Sequence, residues 1–238
     1  MEDIFIRTRT MFGNTNMEIL KKSKVAVFGI GGVGSFAAEA LCRSGIYNFT
    51  LFDNDIIEYS NINRQILALH STLGRYKTET MKERMLDINP LATIITNNCF
   101  YTPQSAKDYP LEGYDYIIDA IDTVTSKICL IEKAKAAGIK IISSMGTGNK
   151  INPCDLKVAD IYDTSVCPLA KVIRKELKAK NVKSLKTVFS TEPPIKPKYD
   201  NNDDKKPLIA SNSFVPSVAG LIIASEVIKD LINLQKDN

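Results

Sequence analysis

The residues with the types and spacing to do chemistry begin at Gly29-Ile30-Gly31-Gly32-Val33-Gly34, which follows an apolar run and opens an Ala-rich one. Glycines let a backbone turn sharply and approach a phosphate, whose charge a helix N-terminus favours. The same run also suits a plain strand-to-helix packing turn, so it points to a nucleotide only in context. Asp53 stands where the next strand should end, in reach of ribose hydroxyls. NAD, FAD and ATP all fit these features. The segment Asn61-Ile62-Asn63-Arg64-Gln65 and the more distant Lys77 narrow the choice. A dinucleotide pyrophosphate is held largely by backbone amides and a helix dipole. A triphosphate attacked at its α-phosphorus calls for side-chain cations as well. Arg64 can span phosphates as a fork, and Lys77 can act as a mobile point charge. Taken by itself, Lys77 reads as a solvated helix position, since charged side chains are seldom buried. Asp119-Ala120-Ile121-Asp122 adds carboxylates. Asp119 suits the sheet or the turn, and Asp122, further out, is the better holder of Mg²⁺.

These residues need a scaffold, and the hydrophobic pattern supplies one. Lys24–Ile30, Phe49–Asp53, Thr93–Asn97, Tyr114–Ala120 and Ile139–Ser143 read as strands. Phe36–Arg43, Lys77–Ile88 and Val124–Ala137 read as helices, closed by Gly45, by Asn89-Pro90 and by Gly138. This alternation predicts an α/β, Rossmann-like, doubly wound and mainly parallel sheet, whose strand C-termini face a ligand crevice. Beyond Gly146 the pattern turns irregular. Leu156–Ile161 reads as a strand of opposite sense, Pro168–Lys180 as a basic helix, Thr187–Ser190 as a short strand, and Val218–Leu234 as a helix packing back on the sheet. The expected organisation is one domain: an N-terminal arm over 1–22, a nucleotide-binding core over 23–150, and a C-terminal part over 151–238. A Pro-, Asn-, Asp- and Lys-rich stretch near 192–208 is expected to be mobile.

Composition sets bounds. The length of 238 residues is enough for a large core without staples. The cysteines, Cys42, Cys99, Cys129, Cys154 and Cys167, form no Cys-x-x-Cys pair, so no zinc ribbon is legible and a reducing cytoplasm is expected. The segment Met1–Gly13 has no apolar run behind basic residues and does not read as a signal peptide. No apolar stretch is long enough to span a bilayer, so no stable membrane insertion is expected. A net charge of +4 permits a nucleic-acid partner without demanding one. The run from Lys171 to Lys186, with Arg174, Lys175, Lys178, Lys180 and Lys183 between, fits either phosphate contacts or a solvated face. Cys167 fits burial better than sulfur chemistry. His70, the sole histidine, has no metal partner in view and reads as structural.

In order and spacing, the glycine run, Asp53, Asn61-x-x-Arg64-Gln65, Lys77 and Asp122 resemble the adenylation domain of the MoeB/ThiF/HesA family, relatives of the ubiquitin-activating enzymes. The resemblance implies ATP bound by Gly29, Gly31, Gly32, Gly34, Asp53, Asp55, Asn61, Arg64, Gln65, Lys77 and Asp122, with Mg²⁺ on Asp122. It further implies a homodimer in which an N-terminal arginine reaches the partner subunit's site. Arg7 fits that position best and Arg9 is the alternative. The catalytic set implied is Arg7, Arg64, Lys77 and Asp122.

The segments Asp119–Lys127, Ser143–Pro153, Ala159–Leu169 and Val188–Pro194 resemble the tRNA threonylcarbamoyladenosine dehydratase branch of that family. The missing Cys-x-x-Cys pairs separate the chain from the carrier-protein branches. The activity this implies is ATP-dependent adenylation of the carboxylate of N6-threonylcarbamoyladenosine in tRNA, followed by cyclisation, with a sulfur-relay or cysteine desulfurase protein as an accessory partner. Rival readings are an adenylyltransferase acting on the C-terminus of a ubiquitin-like sulfur carrier, an NAD-dependent oxidoreductase, and a non-catalytic tRNA-binding scaffold.

Overall fold

A computed structural model describes residues 3–196 and 209–233. The first strand, β1 (Lys24–Phe28, KVAVF), is buried from its second residue onward, as a central parallel strand covered on both faces should be. It pairs in parallel with β2 (Asn48–Phe52) on one side and β4 (Tyr116–Asp119) on the other. The strand β3 (Thr93–Asn97) extends the sheet beyond β2, and β5 (Lys140–Ser144) extends it beyond β4. The sheet continues through β7 (Lys186–Ser190) and ends at β6 (Leu156–Asp160), in the order β3-β2-β1-β4-β5-β7-β6. Only β6 runs antiparallel to its neighbour, as predicted. Strand order reverses between β1 and β4, so the crevice outside their C-terminal ends is where a ligand belongs.

Helices cover both faces. On one lie α2 (Gly34–Arg43), α3 (Lys77–Ile88) and α6 (Val215–Leu231), whose buried residues share a core with β1 and β2. On the other lie α4 (Val124–Ala136) and α5 (Pro168–Ala179), sharing a second core with residues of the 99–111 segment. Gly220 sets the spacing of α6 on α2: a Cβ there would stand 2.4 Å from the Val33 carbonyl oxygen. The prediction placed this last helix at Val218–Leu234. It begins earlier, at Val215, because Pro216 in its first turn has no N–H to satisfy. Leu234 lies outside the described residues.

The expected arm at 1–22 contains a helix that periodicity alone did not disclose: α1 spans Ile6–Lys22 and breaks at Gly13, where φ is +78° and ψ 162°. Its second half buries Met17 and Leu20. Met17 Cε lies 2.7 Å from where a Cβ on Gly45 would be, so Gly45 serves as both turn and floor. β1 stops at Phe28 rather than Ile30 because Gly29, at φ +88°, turns the chain out of the sheet. In the stretch expected to be mobile, the Glu192 carboxylate accepts hydrogen bonds from the Ile151 and Asn152 N–H groups. Ile195 N–H donates to the Asn149 carbonyl at 2.8 Å. Residues 197–208 lie outside the described residues. Among the described residues, no helix is long and apolar enough to cross a membrane.

Candidate active site

At the C-terminal ends of β1, β2 and β4 lies a cavity of about 420 Å³. Its wall brings together Gly29, Gly31, Gly32, Asp53, Asp55, Asn61, Arg64, Gln65, Lys77 and Asp122, residues spread over most of the first half of the chain. The glycines divide their work. A Cβ on Gly29 would stand 2.6 Å from the Ala120 carbonyl oxygen, and one on Gly34 would stand 1.8 Å from the Gly29 carbonyl oxygen. Both allow close packing, and Gly34 does not reach the cavity. A Cβ on Gly31 would meet only Gln65 Nε2, at 3.8 Å, so its backbone is open to a ligand. This is the cradle that a phosphate beside the start of α2 requires.

The Asp53 carboxylate accepts from the Ile30 N–H at 2.6 Å and the Asp55 N–H at 2.9 Å. Burial raises its pKa, against the charge of Lys77 and those two backbone donors. Asn61 is buried, and its side-chain oxygen accepts from the Glu58 N–H at 3.1 Å. Arg64 is half-buried and donates to the Ser60 carbonyl and the Asn63 side chain. Gln65 is buried, and its Oε1 has no partner among the described residues, a polar atom awaiting a donor.

Lys77 is not on a solvated face, as its position read by itself had implied. Its side chain is 6% exposed, and Nζ lies 2.6 Å from Asp55 Oδ2, which is itself 56% exposed. The first turn of α3 packs against the segment after β2, and the lysine lies along the cavity wall. Asp122 is exposed at the rim, where among the described residues only Thr123 Oγ1 donates to its carboxylate, at 3.3 Å. Among the described residues no cluster of three or more His, Cys, Asp or Glu could hold a metal. A single free carboxylate facing a phosphate cradle still fits Mg²⁺, which commonly binds through one carboxylate plus substrate phosphates.

Asp119 lies behind the cavity wall, at the end of β4 and fully buried, where its Oδ1 accepts from the Ile121 N–H at 3.2 Å. The sequence reading missed its partner, Lys127. That fully buried ammonium donates to Asp119 Oδ2 at 2.8 Å, to Ser143 Oγ at 3.1 Å and to the Ser144 carbonyl at 3.0 Å. Each of its N–H bonds is thereby satisfied, which makes a buried charge tolerable. The network ties the turn bearing Asp122 to the end of β5. Also missed were the far wall of Phe28, Phe52, Cys99, Phe100 and Tyr101, and the closing residues Thr147, Ser211 and Pro216. The Phe28 and Phe52 rings stack at 4.1 Å, giving the crevice an apolar side suited to a flat base. The aromatic ends of Phe49–Phe52 and Cys99–Tyr101 were the only sequence signal for it.

Arg7 lies exposed on α1 and does not line this cavity, whereas Arg9 is engaged with Asp3 at 2.7 Å. Cys167 is buried. His70 is exposed and lies edge-on to Tyr59, so it is not a core residue.

Comparison with known proteins agrees with the fold. The ThiF family matches residues 6–238. The tRNA threonylcarbamoyladenosine dehydratase of Bacillus subtilis (strain 168) is 44% identical over 239 residues, covering 96% of this chain and 94% of the relative. That of Escherichia coli (strain K12) is 39% identical over 201 residues, covering 81% and 75%. The crystal structure of E. coli tRNA N6-threonylcarbamoyladenosine dehydratase in complex with ATP superposes with a TM-score of 0.88 at 34% identity, covering 97% of this chain and 94% of the other.

Proposed function

The chain belongs to the ThiF family, and from that premise we propose that it is an ATP-dependent dehydratase that cyclises N6-threonylcarbamoyladenosine in tRNA. The observation that carries this reading is one cavity holding an open glycine cradle, a buried lysine, a forked arginine and an exposed carboxylate. An NAD enzyme has no use for that set of charges. The similarity to the dehydratases, which runs through the C-terminal part, selects the carboxylate to be activated.

The substrate nucleoside carries a threonine through a urea, with a free carboxylate. That carboxylate attacks the α-phosphorus of ATP; the bond to the β-phosphate oxygen breaks, and pyrophosphate leaves. The resulting acyl adenylate is attacked by a urea nitrogen of the same molecule. The nitrogen loses its proton, the ring closes and AMP leaves, so the oxygen removed from the acid departs on AMP. Intramolecular attack has a high effective molarity, so the second step needs no covalent cysteine. The chain's own residues do electrostatic work. Asp53 and Gln65 orient the nucleotide. Arg64 and Lys77 take up charge as it moves onto pyrophosphate. Asp122 would hold Mg²⁺, which supplies further charge neutralisation when bound. Arg7 completes the set from a second copy, in a homodimer seated on α1, where Ile6 and Met11 are 62% and 78% exposed.

The test is to incubate the protein with ATP, Mg²⁺ and tRNA bearing the linear nucleoside, and to follow the nucleoside by mass spectrometry. Loss of the mass of one water is expected. No loss, together with pyrophosphate exchange that depends on a ubiquitin-like carrier, would transfer the reading to a carrier adenylyltransferase.

A further inference from the structure

The fold divides the basic run after Cys167 into engaged and unengaged members. Arg174 donates to the Thr164 carbonyl and hydroxyl. Lys180 pairs with Glu132 at 3.0 Å, and Lys186 with Asp230 at 2.7 Å and Glu226 at 3.2 Å. These cations brace the C-terminal part. Lys171, Lys175 and Lys178 differ: all are exposed, and none has a carboxylate within ion-pair distance among the described residues. Their spacing puts them on one stripe of α5, opposite the buried Ala170, Ile173 and Leu177. Neighbours along such a stripe stand about 5–6 Å apart. The acids nearest in sequence are Asp163, exposed before the helix, and Glu176, half-buried on it.

The N-terminal end of α5 packs against the segment that leads into the cavity wall. Cys167 Sγ and Leu169 Cβ lie 3.7 and 3.8 Å from the Cβ position of Gly146, and the next residue, Thr147, lines the cavity. Just before α5, Val166 adopts φ +62° while the Cys167 N–H donates to the Ser165 carbonyl at 2.6 Å. A β-branched residue at positive φ is strained. Yet Val166 is 51% exposed, so that strain is not offset by burial of its side chain.

We propose that the outer stripe of α5, with Val166 just before the helix, docks the RNA backbone of the substrate. Lys171, Lys175 and Lys178 hold phosphates while the modified nucleoside enters the cavity. Ammoniums in a row, with no carboxylate partner among the described residues, match a polyanion attached to the reacting nucleoside better than a carrier protein. This assignment rests on the tRNA reading above.

The experiment measures binding of tRNA bearing the linear nucleoside across a salt series. The full chain is compared with the triple variant Lys171→Ala, Lys175→Ala, Lys178→Ala and with a control triple of equal charge change, Lys24→Ala, Lys82→Ala, Lys157→Ala. The stripe variant should have a shallower slope of log K against log salt, by about two to three, since each phosphate contact contributes roughly 0.7–0.9. Its KM for tRNA should rise at least tenfold while kcat at saturating tRNA and KM for ATP hold. Val166→Gly, which relieves the strain, should weaken tRNA binding without lowering thermal stability. An unchanged slope and KM in the stripe variant, with wild-type protein dehydrating its substrate, overturns the docking face and leaves the dehydratase reading intact. An equal loss in the control triple also overturns it. Salt-dependent binding lost only in the stripe variant, with no dehydration by wild-type protein, sustains the docking face and removes the dehydratase reading.

Discussion

Two buried lysines, one on the wall of the cavity and one behind it, form the same ion pair with different consequences. Lys77 meets Asp55, whose side chain is 56% exposed, and Lys127 meets Asp119, which is fully buried. On the wall, water can solvate the acid if the lysine turns to a phosphate, so the cation is exchangeable. Behind it neither partner has an alternative, and breaking the pair would strand a charge in a dry interior. Exposure of the acid, more than burial of the lysine, separates a cation free to change partners from one locked in place.

The largest test of this contrast is Lys127→Met. It leaves Asp119 uncompensated and should destabilise the fold by about 3–5 kcal/mol in denaturant unfolding. Adding Asp119→Leu should return much of that loss, because an apolar pair of similar volume needs no compensation. If Lys127→Met unfolds like wild type, the buried pair is not structural. Lys77→Met should do the converse, with a cooperative unfolding midpoint close to wild type and turnover lower by a factor of roughly 10²–10³. Asp122→Ala and Arg64→Ala belong with Lys77, each expected to reduce turnover by roughly 10²–10³ in a folded protein. Near-normal turnover of folded Asp122→Ala would remove that carboxylate from the mechanism.

Asp53→Asn sharpens the comparison at smaller scale. Burial raises the Asp53 pKa, so its protonated form suits the folded state and its ionised form burdens that state as pH rises through the folded value. The stability difference between Asn variant and wild type should therefore shift in the variant's favour from pH 3 towards pH 7, while nucleotide affinity falls. A difference that shifts the other way would reverse the assignment. The smallest effect concerns Glu39. Burial pushes its carboxyl up, but Arg84 and Arg43 outweigh that and hold it below the usual range. Its contribution should be present above its unfolded pKa of about 4.3 and fade as pH falls through the lower folded value. Glu39→Gln should thus lose stability near neutrality and match wild type in strong acid, by thermal unfolding across pH.

The legible parts were those that announce themselves locally. Alternating apolar runs and helix stops marked β1 to β5, and the reversal at β6 was visible too. Gly29–Gly34, Asp53, Arg64 and Asp122 stood out because a turn, a strand end or a fork is a local matter. α1 was missed because Gly13 interrupts its pattern. Lys127 was missed because nothing local distinguishes a lysine on a helix bound for the interior from one bound for water, and the same ambiguity made Lys77 read as solvated.

By itself, then, the sequence determined which residues carry charge, the order of the strands and of most helices, and that a glycine-rich turn follows β1. Backbone sterics and hydrophobic period act over a few residues, and chemistry is written in the side chains. Tertiary structure alone decided the dielectric around each charge and the partner that meets it. Those depend on which distant strand or helix arrives alongside, as β5 does at Lys127 and the loop after β2 does at Lys77.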